Sequence, residues 1–169
     1  VDDRINLGFA PSDLGAYAEA ERHLLEALAR AQRLGLGIVE AYAHLNLSHV
    51  HMRLGRLEAA RASGDAALRL GLAQGSARVA GAATLHLAHA SLAAGDATTA
   101  AREAGQAADM LTVAPGLRAA ALSALARARL ALGETDAAVT AAREGVHTLV
   151  GKSEMFDALI RLTLVDALN

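Results

Sequence analysis

The chain has 169 residues, of which 53% are hydrophobic but only 2% aromatic, so the expected core consists of alanine and leucine. Such a core excludes enough water to fold only if its elements approach closely over small side chains. The absence of cysteine excludes a disulfide framework, a thiolate zinc site and a cysteine nucleophile. A formal charge of -2 leaves no basic footprint for nucleic acid.

No part of the sequence reads as a membrane span or a secretory signal. The most apolar stretch, residues 80–94, is mostly alanine and contains His86 and His89. The first residues, Val1 to Arg4, lack the basic and apolar regions of a signal peptide. Arginine supplies fifteen of the sixteen basic residues, which together with the alanine and glycine content is typical of a GC-rich bacterial coding sequence. We therefore expect a cytoplasmic bacterial protein with no membrane contact.

Apolar residues recur three and four positions apart nearly throughout the chain, as they do on one face of an α-helix. Tyr17, Ala20, Leu24 and Leu28 form one such stripe. No run shows the strict alternation expected of a half-buried strand. The pattern predicts an all-α chain with nine helices, at residues 2–10, 15–34, 38–53, 56–70, 76–93, 96–111, 116–131, 134–149 and 153–168.

Glycines stand where these helices should end. A glycine can adopt the left-handed conformation that closes a helix C-terminus without steric cost. The sequence predicts such ends at Gly35, Gly55, Gly71, Gly95, Gly133 and Gly151.

Four glycines also mark an internal repeat. Gly15, Gly55, Gly95 and Gly133 follow alternate helices, at spacings of 40, 40 and 38 residues. Eight residues before them stand Leu7, Leu47, Leu87 and Leu125, and five residues after them stand Ala20, Ala60, Ala100 and Ala138. Each unit is a helical hairpin whose apolar face is too large to bury alone, so successive units are expected to stack.

Three segments carry a family resemblance: INLG at 5–8, GAYAEAERHLLEAL at 15–28 and LNLSHVHMRLGRLEAARASGDAAL at 45–68. They resemble tetratricopeptide repeats, whose usual period is about 34 residues. In the first unit the matching residues are Gly15, Tyr17, Ala20, Leu24 and Ala27. The longer period is similar to that of variants in large bacterial regulatory and signalling proteins.

The resemblance implies a right-handed α-solenoid of about four antiparallel hairpins with one extra C-terminal helix. Residues 1–169 then form a single repeat domain, with repeats at about 1–35, 36–75, 76–113 and 114–151 and the extra helix at 153–168. That helix is apolar for the end of an array, which normally carries a polar cap. We therefore expect that the chain is a piece of a longer protein, or that this helix docks elsewhere.

The first helix of each hairpin faces a concave groove in the resembling family. Seven side chains in the corresponding columns are the candidate partner-binding contacts: Tyr42, Asn46, His49, Arg53, His86, His89 and Arg127. Histidines in such a groove could contact a peptide, or bind an anion when protonated. No carboxylate or cysteine completes a clear ligand set for a metal, so the expectation is that no metal and no cofactor is bound.

Some tetratricopeptide repeats clamp the C-terminal carboxylate of heat-shock chaperones with lysine, arginine and asparagine in fixed columns. Those columns here hold Ile5, Phe9, Asn46, Ala82 and His86. Only Asn46 fits, and these columns contain no strong cation for a carboxylate. The chaperone clamp is therefore excluded.

The sequence favours a non-catalytic protein–protein interaction module, a scaffold or adaptor of a bacterial regulatory or signalling protein. No residue set suggests an enzyme, because none of the serines has a spacing that argues activation. Two alternatives stay open. One is a ligand- or peptide-sensing region that controls an attached output domain, and the other is self-association through the C-terminal helix.

Overall fold

The computed structural model describes residues 14–149 together with Thr163 and Val165. This part of the chain contains no strand and forms seven helices: α1 (Leu14–Arg33), α2 (Gly37–Arg53), α3 (Leu57–Ala73), α4 (Ala77–Ala93), α5 (Ala97–Met110), α6 (Pro115–Ala131) and α7 (Thr135–Leu149). They match seven predicted helices to within three residues at each end, which confirms the all-α prediction. The predicted helix at 2–10 lies outside the described residues. So does the one at 153–168, except that Thr163 and Val165 are helical.

The helices form hairpins in two layers. Successive helices are joined by only three or four residues, so each helix turns back on the one before it. Every helix packs against the next, and in addition α2 contacts α4 and α4 contacts α6. We call α2, α4 and α6 the A helices and α1, α3, α5 and α7 the B helices. The arrangement is an α-solenoid of stacked helical hairpins.

The repeat columns read from the sequence lie in the core. Ala60, Ala100 and Ala138 are all 0% exposed, and the leucines Leu47 and Leu87 are buried beside them. Alanine at these positions lets neighbouring helix axes approach closely, and the leucines fill the remaining space. The aliphatic composition is therefore a requirement of the packing.

Five helices end in the same glycine turn. At Gly55, whose φ is 71°, the backbone N–H of Arg56 donates to the carbonyl of His51 at 2.9 Å. The N–H of Gly55 donates to the carbonyl of Met52 at 3.0 Å. This pair of bonds is the Schellman motif, which satisfies carbonyls at a helix end. Equivalent bonds and a positive φ recur at Gly35, Gly75, Gly95 and Gly133.

The predicted helix end at Gly71 is wrong. Gly71 lies inside α3, which continues to Ala73 and closes at Gly75. A Cβ atom at Gly71 would lie 2.8 Å from the backbone nitrogen of Ala80 on α4. The glycine therefore permits close approach of two helices and does not terminate one. Gly151, predicted as another end, lies outside the described residues.

The connection from α5 to α6 departs from the other turns. Helix α5 has 14 residues where α3 has 17, and it ends at Leu111 without a glycine. Pro115 then begins α6 at a position where a missing backbone N–H costs nothing. Leu111 is 0% exposed and packs against Gly81, where a Cβ atom would lie 2.6 Å from its Cγ. Helix α5 is three residues shorter than α3 and its connection is one residue longer, and together these account for the spacing of 38 residues in place of 40.

One contact connects the C-terminal segment to the array. The hydroxyl oxygens of Ser123 on α6 and Thr163 are 2.7 Å apart, and the two residues are separated by 40 positions. Thr163 is only 3% exposed. At this point the segment therefore lies against α6 as a further A helix would.

Candidate partner-binding surface

The seven candidate contacts lie on the three A helices. Four of them are on α2, two on α4 and one on α6: Tyr42, Asn46, His49 and Arg53; His86 and His89; and Arg127. Spacings of three and four residues place the members on each helix along one side. We call this surface the A face. Tyr42, His49, Arg53 and Arg127 are exposed, whereas Asn46, His86 and His89 are half-buried.

Two imidazoles meet where α2 and α4 adjoin, and a third lies near them. The ring centroids of His49 and His86 are 5.9 Å apart, with the ring planes tilted by 44°. His89 stands one turn further along α4 and senses the charge of His49 electrostatically. We call these three residues the histidine cluster. The cluster brings together side chains that belong to two successive repeats and are far apart in the sequence.

Burial keeps the two histidines of α4 uncharged at neutral pH. It lowers the pKa of His86 to about 3, with His89 and His49 acting in the same direction and the Leu45 carbonyl opposing them. The Nδ1 atom of His86 is buried and has no hydrogen-bond partner among the described residues. Burial also lowers the pKa of His89 to about 4, assisted by the charge of Arg127 and by His49.

An arginine flanks the histidine cluster on each side. Arg127 on α6 lies near His89, and Arg53 on α2 lies near His49. Partial burial and the charge of Arg53 together lower the pKa of His49. Arg53 is held in place by Tyr17 of α1. Its Nε donates to the Tyr17 hydroxyl at 3.0 Å, and its guanidinium carbon lies 5.4 Å from the centre of the ring.

Tyr42 and Asn46 share the A face but stand apart from this group. Among the described residues, neither makes a side-chain hydrogen bond or ring contact with the histidine cluster. Tyr42 is 43% exposed and is the one aromatic side chain that α2 contributes to the surface. It can therefore offer apolar area to a partner beside the polar cluster.

Charge is divided unequally between the two layers. The A helices contain a single carboxylate, that of Glu40, against five arginines: Arg53, Arg78, Arg118, Arg127 and Arg129. The B helices contain nine carboxylates (Glu19, Glu21, Glu26, Glu58, Asp65, Glu103, Asp109, Asp136 and Glu144) against seven arginines (Arg22, Arg30, Arg33, Arg61, Arg69, Arg102 and Arg143). The A face itself carries no carboxylate. A chain with a near-neutral total thus presents a cationic surface on one layer.

A search of the described residues for metal ligands gives a plain result. In residues 14–149 with Thr163 and Val165, no three side chains of histidine, aspartate, glutamate or cysteine are grouped so as to hold a metal ion.

A buried ionic group that the sequence reading missed lies between α3, α4 and α5. Arg61 donates to Ser91 at 2.7 Å and to Glu103 at 3.1 Å, and the Ser91 hydroxyl donates to Glu103 at 2.8 Å. Glu103 is only 4% exposed. Three helices are cross-linked here through one carboxylate.

A matching group occurs one repeat earlier. His51 of α2 lies 3.1 Å from Glu21 of α1 and 3.2 Å from the hydroxyl of Ser63 on α3. Arg56 adds two bonds to Glu21, at 2.8 and 2.9 Å. Glu21, His51 and Ser63 precede Arg61, Ser91 and Glu103 by 40 residues each. The signal was thus present in the sequence as aligned polar columns.

The third junction lacks this group. The aligned positions hold Ala101, Arg129 and Ala141. Arg129 reaches Glu134 at 3.4 Å, and its buried Nε has no partner among the described residues. The junctions between repeats are therefore polar at two places and largely apolar at the third.

Stacked hairpins closed by glycine turns define the fold as a TPR-like α-solenoid. Among solved structures the chain is similar to a putative kinesin light chain from Podosopora anserina, described as having nearly identical TPR-like repeats. The TM-score is 0.69 at 18% identity, over 90% of this chain and 78% of that one. No family model matches the sequence, and no curated protein does either. Within the described part of the chain, no helix is long and apolar enough to cross a membrane.

Proposed function

We propose that the chain is a non-catalytic protein-interaction module, a scaffold or adaptor that binds a protein or peptide partner on its A face. The observation that carries this proposal is the composition of that face. Polar, cationic and aromatic side chains are gathered along one side of α2, α4 and α6, of which α4 is buried over most of its length. Placing such side chains on the layer of the A helices costs solvation free energy, so their grouping indicates a binding surface.

The setting we propose is a bacterial regulatory or signalling protein in the cytoplasm. The non-catalytic part of the proposal is supported by the way the buried serines are used. The Ser48 hydroxyl donates to the Ala60 carbonyl at 2.8 Å, and Ser91 is held between Arg61 and Glu103. Both hydroxyls are thereby used in packing between helices and are not aimed at an open cleft.

Selection from a random peptide library displayed on phage tests this function. We expect enriched peptides whose binding is lost when Tyr42 and Asn46 are both changed to alanine. The matched control changes Ala62 and Asp65, which are exposed on α3 of the outer layer. Enriched peptides that respond to the α3 changes and not to those on α2 would contradict the proposal, as would a selection without enrichment.

A sensing role is the second candidate function, and the proximity of His49, His86 and His89 on the A face favours it. Unfolding temperature measured against a panel of small carboxylates and divalent metals tests this, because a ligand of the folded state raises it. No shift with any compound would count against sensing.

Self-association through residues 153–168 is a proposal that concerns mostly residues outside the described part. Light scattering over a range of protein concentrations tests it. We expect a mass that rises to that of a dimer, and a monomer at the highest concentration would contradict self-association.

A further inference from the structure

The three connections that lead from a B helix to the next A helix lie along one edge of the solenoid. The first two adjoin each other, since a Cβ atom at Gly37 would lie 2.6 Å from Nε2 of Gln74. The third adjoins α4 through Leu111, which packs against Gly81. We call these connections, with the helix turn on either side of each, the turn edge: residues 30–40, 70–80 and 107–118.

The turn edge exposes large aliphatic side chains on all three connections. Val113 is 81% exposed, Leu34 and Leu72 are each 59% exposed, and Ile38 is exposed beside them. On the opposite edge, where A helices lead to B helices, Leu132 is the only exposed large aliphatic residue of the described connections. Exposed aliphatic side chains that recur along one edge indicate an interaction surface, whereas single ones do not.

Local structure does not account for the leucine that begins α2. Leu36 occupies the N-cap position, and its side chain makes no capping hydrogen bond. Ser76 stands 40 residues later at the start of α4, where its hydroxyl accepts from the backbone N–H of Val79. A serine at an N-cap stabilises the helix and a leucine does not. Burial of the exposed Leu36 side chain by a partner would give the leucine a use.

Unpaired arginines accompany these apolar side chains. Arg30 and Arg33 in the last turn of α1 and Arg78 in the first turn of α4 are exposed and form no ion pair with a described residue. Two carboxylates share the edge, and one of them, Glu40, already accepts a hydrogen bond from α1. The other is the exposed Asp109. The excess of free positive charge favours a partner with carboxylates.

The arginines of the opposite edge are bound within the protein. Each donates to a side chain of this chain: Arg53 to Tyr17, Arg56 to Glu21 and Arg129 to Glu134. Free arginines beside exposed aliphatic side chains therefore distinguish the turn edge from the opposite edge.

The spacing of the connections suits an α-helix. Helices in direct contact have axes about 8–10 Å apart, and α2 contacts α4 as α4 contacts α6. A helix rises about 10.5 Å over seven residues, so side chains seven residues apart can reach successive connections. We propose that the turn edge binds an amphipathic helix of a partner protein that carries leucines along one face and carboxylates beside them. This surface is separate from the A face, so the inference goes beyond the proposed function.

A fluorescein-labelled peptide of three LEELAQE heptads is the probe. Three LKKLAQK heptads and three AEEAAQE heptads are the controls for its charge and for its leucines. We expect the probe to bind about tenfold more tightly than either control, by fluorescence anisotropy, and to bind more weakly as salt is added. No binding of the probe, or equal binding of the three peptides, overturns the inference.

Matched variants locate the site. Leu34→Gln combined with Leu72→Gln should weaken probe binding about tenfold, and Arg78→Gln about threefold. Leu132→Gln and Arg143→Gln make the same chemical changes at exposed positions outside the turn edge and should leave binding unchanged. Circular dichroism establishes that each variant is folded. An equal loss of binding with the two control variants overturns the site.

Two other occupants of the turn edge would also overturn the proposal. A dimer by light scattering that Leu34→Gln with Leu72→Gln converts to a monomer would show an interface between copies. Vesicles containing phosphatidylserine that bind the protein, and lose it in the same variant, would show a lipid surface. We expect neither, because a second copy brings arginines to arginines and Glu40 and Asp109 repel an anionic lipid.

The proposed function on the A face fails independently of this one. Changing both Tyr42 and Asn46 to alanine should leave binding of the probe unchanged, and a loss would place the probe on the A face and overturn the turn edge as its site. If the probe binds the turn edge but no phage-selected peptide depends on Tyr42 and Asn46, the A-face function is wrong and this inference stands.

Discussion

The two helices of the third hairpin, α4 and α5, show how differently the two layers of this protein are built. Helix α4 has 11 buried residues among its 17 and no carboxylate, while α5 has five among 14 and carries charge on its outer side. An A helix is enclosed by neighbours on most sides, so a polar side chain on it can have only two kinds of surroundings. It either joins a hydrogen-bonded junction, as Ser91 does, or lies on the A face, as His89 does. The polar residues of the A helices therefore mark either a structural junction between helices or the A face.

Of the changes predicted below, a substitution at Gly71 should disturb the packing between the two layers the most. Gly71→Val would place branched carbons against the backbone of Ala80 and should cost about 3 kcal/mol of unfolding free energy by overpacking. Urea denaturation followed by circular dichroism measures it. Gly105→Ala is the matched control on α5, where a Cβ atom meets nothing within 4 Å. It should stabilise the protein by about 0.5–1 kcal/mol. A neutral Gly71→Val would contradict the close approach.

The next largest expected effect is on the polar junction formed by Arg61, Ser91 and Glu103. Arg61→Met leaves the buried Glu103 with fewer partners and should cost about 2 kcal/mol, less than for a wholly buried pair because Arg61 is partly exposed. Arg61→Met combined with Glu103→Leu should recover part of that loss. A double-mutant cycle by urea denaturation gives the coupling. Arg69→Met, on an exposed part of the same helix, is the control. Additive losses from the two single variants would show that the junction has no coupling.

Acidification should weaken the inner layer. His86 and His89 have folded-state pKa values of about 3 and about 4, below the value of about 6.5 for an unfolded histidine. The unfolded chain therefore binds more protons in that window, and stability is lost as the pH falls below 6.5. The free energy of unfolding should be about 1.4 kcal/mol lower at pH 6 than at pH 7. Urea denaturation at both pH values checks this, and equal or greater stability at pH 6 would contradict it.

The smallest expected effect concerns the contact that Tyr17 of α1 makes with Arg53 of the A face. Tyr17→Phe removes the hydroxyl that accepts from Arg53 but keeps the ring beneath the guanidinium. Because the bond is exposed, it should cost only about 0.5 kcal/mol. A large loss of stability would show that the hydroxyl has a further structural role.

Helices were predictable here because their signals are local. The apolar spacing along α2 and the turn at Gly55 depend on residues within a few positions of one another. The same local rule gave a wrong prediction at Gly71, because this glycine is required by a contact with another helix and does not end its own. It also failed for Glu103, which looks like a solvated residue of α5 until Arg61, 42 positions earlier, is placed beside it.

The candidate site was predictable in part for a related reason. The 40-residue repeat placed His49 and His89 in one column, and the A helices do carry them on a common face. The repeat did not place His86 against His49, nor Tyr17 beneath Arg53. Those contacts depend on how closely successive hairpins pack, and alanine and glycine columns allow a range of distances.

The sequence by itself determined the all-α class, seven helix positions in the described part, four of the glycine turns and the repeat. All of these arise from short-range backbone and side-chain preferences repeated along the chain. Only the tertiary structure decided which polar residues are buried together, which glycine permits close packing and which imidazoles meet between repeats. Each of these depends on the approach of residues that are distant in sequence, and the energy of that approach is set by the whole stack.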